Sequence, residues 1–362
     1  MRLLVRPDSV SPARDPFQFY GFPPESRLTV ETVPGGAPGP ARRARFLVHV
    51  AGAALARRGD VVYTRDAGAA ALIAAAPRRW RAPLVYEAHG VAAIVAAELP
   101  TLLGRDHTAP SPAKLARLEA RERRVWTRAE AIVTLTRALA DDLAARYGRR
   151  EVVFVVPDGA RATPEVTSEV ASEVTSGVAV AAYAGHLYPW KGVDVFVRAL
   201  AQLPNLRGLI VGGHDGEPDV ARVRSLVDAL GIGERVEITG LVPPGAVASR
   251  IAAASVLVLP NTATAISERY TSPLKLFEYL MLGKPIVASR LPALAEVLTD
   301  EQTALLVAPD DAGALAAGLS RIISDPALAS RLGRAALALS PQFTWDRRAE
   351  RIEAALQAAA RR

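Results

Sequence analysis

The chain of 362 residues contains no cysteine, so disulfides, thiolate metal sites and cysteine nucleophiles are excluded. It has five histidines and no acidic cluster of the DxD type, which leaves little scope for a metal site. Aromatic residues make up only 6% of the chain. Because a recognised nucleic-acid-binding motif is also missing, we expect no nucleic-acid partner.

Targeting segments are also missing from the sequence. No run of about 18 apolar residues is free of charge, so a transmembrane helix is not expected. The N-terminus lacks the apolar core and the cleavage site of a secretory signal. These absences predict a cytoplasmic protein.

Positive charge is concentrated in one half of the chain. The net charge is +7, with +8 carried by residues 1–165 and −1 by the remainder. Two interpretations remain open: the first half faces an anionic partner, or its arginines only reflect base composition.

Short apolar runs alternate with amphipathic helical stretches along the whole chain. Most runs are continuous in Val, Ile, Leu and Ala, which is typical of strands buried on both faces of a parallel sheet. The rhythm predicts an α/β fold of two Rossmann-like blocks. Strands are predicted at residues 3–6, 28–33, 61–64, 84–87, 131–136, 152–156, 178–183, 208–211, 235–239, 255–259, 285–289 and 304–307.

A repeated tetrapeptide marks the boundary between the blocks. Residues 165–176 read EVTSEVASEVTS, a pattern without the period of a core strand. We predict a first domain over residues 1–164, a linker over 165–177 and a second domain over 178–344. The alternative for the repeat is an edge hairpin strand.

The segment YAGHLYPWKGVD lies between a predicted strand and a predicted helix. Gly185 permits a close turn, and His186 and Lys191 stand five residues apart around it. A lysine just before a helix shares a phosphate with the free amides of that helix. The alternative is an ordinary loop with a solvated lysine.

A second segment, YTSPLKLFE, predicts a helix that begins at a phosphate. Ser272 is a natural N-cap and Pro273 a natural first helical residue. Lys275 in the first turn opposes the helix dipole, unless a bound diphosphate lies between them. Glu278 shares its side of the helix and suits ribose hydroxyls, although an exposed helix glutamate is the alternative.

A third segment, LIVGGHDG, follows another predicted strand. Its glycines, including Gly213, allow the backbone to approach a ligand closely. The segment is not a GxGxxG fingerprint, so a dinucleotide-dependent dehydrogenase is not favoured.

Taken together, GHLYPWKGVD, GLIVGG, RVEITGLV and SPLKLFEYLMLGKPIVAS resemble the donor-binding domain of glycosyltransferase family 4, the retaining glycosyl transferases group 1. In the first half, VVYTRD, VYEAHG and EAIVTLT are similar to strands of the acceptor domain of that family. The resemblance implies a GT-B fold, in which two Rossmann-like domains face each other across a cleft. It also implies that the C-terminal helix, residues 345–362, packs back on the first domain.

The resemblance assigns roles to residues of the first donor segment and of the acceptor domain. Lys191 matches the lysine that binds the donor diphosphate, and His186 stands where many members have an arginine. His89 matches an acceptor-domain histidine that faces the donor sugar. We assign these three residues to catalysis, and we expect Arg65 either to line the cleft or to lie on the surface.

The resemblance also assigns the donor-binding helix. Glu278 matches the ribose-binding second glutamate of the paired-glutamate motif, and Tyr270 stands in place of the first, which contacts the donor sugar. The backbone near Pro273, Leu274 and Lys275 is expected to meet the phosphates. The full set of expected donor-binding residues is Gly185, Gly213, Tyr270, Ser272, Pro273, Leu274, Lys275 and Glu278.

The implied activity is retaining, metal-independent transfer from a UDP- or GDP-sugar to a sugar or lipid-linked acceptor, with no cofactor. Envelope polysaccharide or glycolipid synthesis is the expected context. Two alternatives stay open. One is a GT-B epimerase or phosphorylase, and the other is a non-catalytic nucleotide-sugar-binding subunit, which the tyrosine at 270 favours.

A helix predicted over residues 114–130 has arginines on the face opposite its apolar side. Such a stripe suits peripheral contact with anionic lipid on the inner face of a membrane. The alternative is a solvated face balanced by Glu119 and Glu122. The stripe consists of Arg117, Arg121, Arg124 and Arg128.

Overall fold

The computed structural model describes residues 1–6, 15, 17, 23, 27–33, 39–56, 60–161, 178–214 and 216–362. Packing divides the chain into two units. Unit 1 comprises Met1–Ala88, Arg117–Val133 and Ala354–Arg362, and unit 2 comprises His89–Ala116 and Thr134–Glu353. The predicted linker at 165–177 lies outside the described residues, and the proposed domain limits stay a prediction.

Every predicted strand is present in the described residues, with bounds that differ from the prediction by a few residues at most. All strand pairs with a defined register are parallel. The strands are β1 (Arg2–Val5), β2 (Thr29–Thr32), β3 (Val62–Thr64), β4 (Leu84–Ala88), β5 (Ala131–Thr134), β6 (Val153–Val155), β7 (Val180–Ala184), β8 (Arg207–Val211), β9 (Val236–Ile238), β10 (Val256–Leu259), β11 (Ile286–Ser289) and β12 (Leu305–Val307).

Helices separate most of the strands, as the sequence rhythm predicts. None of the helices in the described part of the chain combines the length and apolarity needed to cross a bilayer. The helices are α1 (Pro40–Leu55), α2 (Ala67–Ile73), α3 (Ala92–Leu102), α4 (Pro112–Arg128), α5 (Arg137–Tyr147), α6 (Val193–Ala201), α7 (Pro218–Ala229), α8 (Pro244–Ala252), α9 (Leu274–Met281), α10 (Pro292–Ala295), α11 (Ala312–Ser324), α12 (Pro326–Leu339) and α13 (Trp345–Ala360).

Unit 2 contains a six-stranded sheet of order β12-β11-β10-β7-β8-β9. Its two faces are covered by separate hydrophobic clusters. Val256 and Val258 of β10 belong to one cluster, and Leu257 and Leu259 belong to the other. Because successive strand residues point to opposite faces and both faces are buried, the strand is a continuous apolar run.

The remaining strands form two smaller sheets. Strands β1 and β2 pair with each other, and a four-stranded sheet has the order β3-β4-β5-β6. In unit 1 a buried ion pair joins Arg81 to Glu130 at 2.8 Å, and Glu130 also accepts from the backbone of Leu84 at 2.7 Å. Arg81 additionally donates to the carbonyl of Arg128 at 2.8 Å. These bonds attach the turn Arg78–Trp80 to the end of α4.

Candidate functional site

The site lies at the carboxyl ends of β7 and β10, which are neighbours in the large sheet. From β7 the chain proceeds to β8 on one side, and from β10 to β11 on the other. Ligands of open α/β sheets bind in the crevice at such a reversal of strand order. The segment that follows β7 and the start of α9 both belong to this part of unit 2.

The loop after β7 is held by Arg222 of α7. Its guanidinium donates to the carbonyl of Leu187 at 2.6 Å and forms an ion pair with Asp194 of α6. The hydroxyl of Tyr183 donates to the carbonyl of His186 at 2.6 Å. These bonds fix the loop backbone before any ligand binds.

Gly192 brings this loop against the end of β10. Its φ is 70°, a left-handed conformation that favours glycine. A Cβ atom added to it would lie 1.7 Å from the carbonyl oxygen of Pro260. The Thr262 amide also donates to the carbonyl of Trp190 at 3.2 Å. The position of Lys191 therefore depends on this close backbone contact.

Lys275 is the most unusual side chain of the site. It is 8% exposed, and its Nζ has no hydrogen-bond partner among the described residues. The ammonium lies 3.6 Å from the ring centroid of Tyr183, and a Cβ added to Gly185 would lie 3.3 Å from it. Burial, and then the charge of Lys191, lower the pKa of Lys275 well below its usual value, while Glu278 opposes this shift.

Lys191 and His186 share the electrostatic environment of Lys275. Burial lowers the pKa of Lys191. Burial is also the main cause that lowers the pKa of His186, which Glu217 opposes and the nearby His214 and lysines reinforce. The structure thus brings three potential cations together in a region that disfavours their charge. A bound anion would favour the charged forms of these side chains and so raise their pKa values again.

A stack of aromatic rings extends from this cluster. His186 is exposed and stacks on Tyr188 at 5.0 Å and on His214 at 5.6 Å between ring centroids. Tyr188 in turn stacks on Trp190 at 4.8 Å. Gly213, which precedes His214, is buried where an added Cβ would lie 2.9 Å from Leu187.

The start of α9 corrects two predictions, those of Ser272 as the N-cap and of Pro273 as the first helical residue. The helix begins at Leu274 and its N-cap is Pro273, with no side-chain hydrogen bond, so Ser272 is not the cap. The Ser272 hydroxyl instead accepts from the backbone of Asp158 at 2.9 Å. Leu274 is exposed. No side-chain cap therefore competes with a ligand for the amides at this helix start.

Glu278 lies one turn beyond the start of α9 on the side of Lys275. Its side chain reaches the surface, so the residue as a whole is exposed. Its carboxyl is nevertheless desolvated enough to raise its pKa, and the charge of Lys275 opposes this shift. The structure places Glu278 beside the lysine, and its ribose-binding role stays a prediction.

Tyr270 is buried and does not point a free hydroxyl at the site. Its hydroxyl lies 3.0 Å from the carboxylate of Asp142, which also binds Arg269 at 2.6 Å. A Cβ added to Gly90 would lie 3.3 Å from the Tyr270 ring. The exposed His89 precedes this glycine, so the turn that carries it packs on Tyr270.

Two further residues emerge only in three dimensions. Asn261 is buried at the end of β10, and Glu98 of α3 accepts from the amides of Ala265 and Ile266 at 3.0 and 3.2 Å. The sequence signal that could have identified Asn261 is its position as a polar residue shortly after a buried strand. Arg65 belongs to unit 1.

The described residues contain no cluster of three or more histidine, aspartate and glutamate side chains that suits a metal ion. The fold and the site define a class: an α/β protein with two lysines and a histidine clustered at the strand reversal of a parallel sheet, where proteins of this fold bind their ligands.

The family follows from comparison. Residues 168–338 match the model of the glycosyl transferases group 1, and residues 2–159 match the glycosyl transferase 4-like domain. The chain belongs to the glycosyl transferases group 1 family, and it is a glycosyltransferase.

Relatives of known name support this membership. A D-inositol 3-phosphate glycosyltransferase of Nocardia farcinica is 32% identical over 75% of this chain, which spans 60% of that relative. One of Xylanimonas cellulosilytica is 30% identical over 79% of this chain and 69% of its own length. Among solved structures, HepE of Anabaena in complex with UDP has a TM-score of 0.70 at 22% identity, covering 91% of this chain and 86% of HepE. This likeness shows the GT-B fold.

Proposed function

We propose that the protein is a retaining, metal-independent glycosyltransferase that uses a UDP-sugar donor. The supporting observation is the convergence of Lys191, Lys275 and His186 at the strand reversal, next to the free amides of α9. A diphosphate is the ligand that such a pocket suits, because it carries concentrated negative charge.

Bond cleavage requires stabilisation of the departing phosphate. Groups aimed at the developing charge supply this, and they act without rearrangement when they are held in advance. Lys191, Lys275 and the first amides of α9 take this role, and His186 donates a hydrogen bond. In the retaining route the acceptor attacks from the face that the phosphate leaves, and the phosphate receives the acceptor proton. The route needs no separate base.

The nucleotide base is proposed to meet backbone rather than side chains. Gly212 and Gly240 are joined in an isolated antiparallel bridge, which places the ends of β8 and β9 side by side beyond the sheet. Uridine is supported by HepE, whose structure was solved with UDP. Guanosine is the alternative outcome of a binding panel.

The acceptor is proposed to carry negative charge. Relatives are named for D-inositol 3-phosphate, an anionic polyol. The charge of +8 in residues 1–165 is consistent with such an acceptor. A phosphorylated sugar and a lipid-linked sugar phosphate share this chemistry, and envelope glycolipid or polysaccharide synthesis is the proposed context.

The test is Lys191→Ala, with Lys191→Arg and the exposed Arg198→Ala as charge-retaining and charge-removing controls. Release of UDP from a UDP-sugar panel is measured in buffer that contains EDTA. We expect Lys191→Ala to lower turnover about a hundredfold, Lys191→Arg to recover part of it and Arg198→Ala to match the wild type.

Three results would count against the proposal. Wild-type turnover by Lys191→Ala would remove the phosphate-binding role. Complete loss of wild-type activity in EDTA, restored by Mg²⁺ or Mn²⁺, would exclude the metal-independent route. Conversion of the UDP-sugar without an acceptor into another UDP-sugar would indicate an epimerase.

A further inference from the structure

Asn261 lies at the strand reversal that forms the site. Strand β10 ends at Leu259, and Asn261 follows after Pro260. The adjacent Thr262 amide donates to the carbonyl of Trp190, in the loop that carries Lys191. Asn261 is thus placed beside the proposed diphosphate pocket.

The amide of Asn261 is buried and unpaired. The residue is 1% exposed, and neither Nδ2 nor Oδ1 has a hydrogen-bond partner among the described residues. Buried polar groups in native proteins are almost always hydrogen-bonded, because an unmade bond destabilises the fold. A buried group that breaks this rule inside a functional crevice points to a ligand that completes it.

The residue that the resemblance places against the donor sugar is already engaged within the protein. The resemblance places residue 270 against the donor sugar, but the hydroxyl of Tyr270 is engaged by Asp142 and its ring packs on Gly90. Tyr270 therefore acts as a support for the turn that carries His89. The hydroxyl of Tyr270 therefore donates to Asp142 and not to a donor sugar.

We propose that the side-chain amide of Asn261 binds hydroxyl groups of the donor sugar and thereby selects the sugar. This assignment rests on the proposed function. An amide offers one acceptor oxygen and two donor hydrogens, which match a pair of neighbouring hydroxyls and not a second charged group.

The experiment compares UDP with a UDP-sugar. The sugar is whichever of UDP-glucose, UDP-galactose and UDP-N-acetylglucosamine the wild-type chain binds most tightly by calorimetry. In Asn261→Ala we expect the affinity for this UDP-sugar to fall at least about tenfold, as for a lost buried hydrogen bond. The affinity for UDP stays at the wild-type value.

Asn261→Leu is the matched second variant, because it replaces the amide by an apolar group of similar size. Removing an unpaired buried amide leaves the melting temperature of the free chain unchanged or raised, while the UDP-sugar affinity falls as in Asn261→Ala. If both variants keep the UDP-sugar affinity, the proposal is overturned, whatever the melting temperature does. Equal losses for UDP and the UDP-sugar also overturn it, since the contact is then with the nucleotide.

Failure of this assignment is separable from failure of the proposed function. A wild-type chain that binds neither UDP nor GDP nor any sugar derivative contradicts the function itself. A wild-type chain that binds the UDP-sugar, with unaffected Asn261 variants, contradicts only the role of Asn261.

Discussion

Only four of the 44 lysine and arginine residues are lysines, and two of them, Lys191 and Lys275, share the candidate site. Arginine stays charged in almost any environment, whereas the pKa of a buried lysine shifts readily. The ring of Tyr183 favours the charged form of Lys275, but burial of an ammonium without hydrogen bonds outweighs it. The free site therefore holds less charge than its composition suggests.

We expect UDP binding to take up protons at pH values between the depressed pKa of Lys275 in the free chain and its higher pKa in the complex. The pKa of Lys275 is depressed in the free chain and rises when the diphosphate arrives. Between these two pKa values the complex holds more protons than the free chain, so affinity falls as pH rises through that window. Calorimetry in buffers of different ionisation enthalpy measures the uptake.

Lys275→Met should reduce the proton uptake, and Lys284→Met should leave it unchanged. Lys284 is a suitable control because burial also lowers its pKa, but it lies beyond the other end of α9. Binding heats that are independent of the buffer would contradict this prediction, because no net proton would then be taken up on binding.

At the scale of elements, the segment between β10 and α9 is held by side chains distant in sequence. It contains a single π-helical turn, Ile266–Tyr270, a conformation that is rare and frequent at functional sites. Glu98 accepts from the two amides at its start, and Asp142 binds Arg269 near its end. These side-chain contacts hold the segment in place, as backbone hydrogen bonds would in a regular helix or strand.

Glu98→Ala should therefore destabilise unit 2. Removing a carboxylate that caps two amides costs about 1 kcal/mol, with a range of about 0.5–2. For a domain of this size we expect the melting temperature to fall by about 2–4 °C in calorimetry. Glu234→Ala removes an exposed glutamate of the same unit and should have no effect. Equal melting temperatures for both variants would mean that the cap contributes nothing.

At the scale of the whole molecule, unit 1 exposes a basic and aromatic surface. Trp80 is 58% exposed, and Arg79 lies over its ring at 4.7 Å. The turn that carries them is attached through Arg81 to the end of α4, where Arg124 and the neighbouring Arg128 are exposed. Tryptophan and arginine together suit the interface of an anionic membrane. We therefore propose this surface of unit 1 as the site of peripheral membrane contact.

The chain should float with vesicles that contain anionic phosphatidylglycerol and not with phosphatidylcholine alone. Trp80→Ala should weaken flotation, and raising the salt concentration should abolish it, because the attraction is electrostatic. Trp345→Ala is the control, since Trp345 is exposed but belongs to unit 2. Absence of flotation at low salt would exclude this surface as a membrane contact.

The elements of the fold were predictable because their signal is local. A strand buried on both faces must be a continuous apolar run, and Val256–Leu259 is such a run. The loop with Lys191 and the helix with Lys275 follow predicted strands, so their meeting at one sheet edge could be anticipated from chain order. Their roles as donor-binding residues stay predictions.

The sequence by itself determined the α/β order, the strands and the two cationic segments, because each depends on neighbouring residues. Only the tertiary structure decided that Ser272 binds Asp158 and does not cap α9, that Tyr270 is engaged by Asp142, and that the amide of Asn261 is unpaired. Ser272 and Asp158 are 114 residues apart. A side chain has several partners of equal chemical suitability along the chain, and packing alone selects among them.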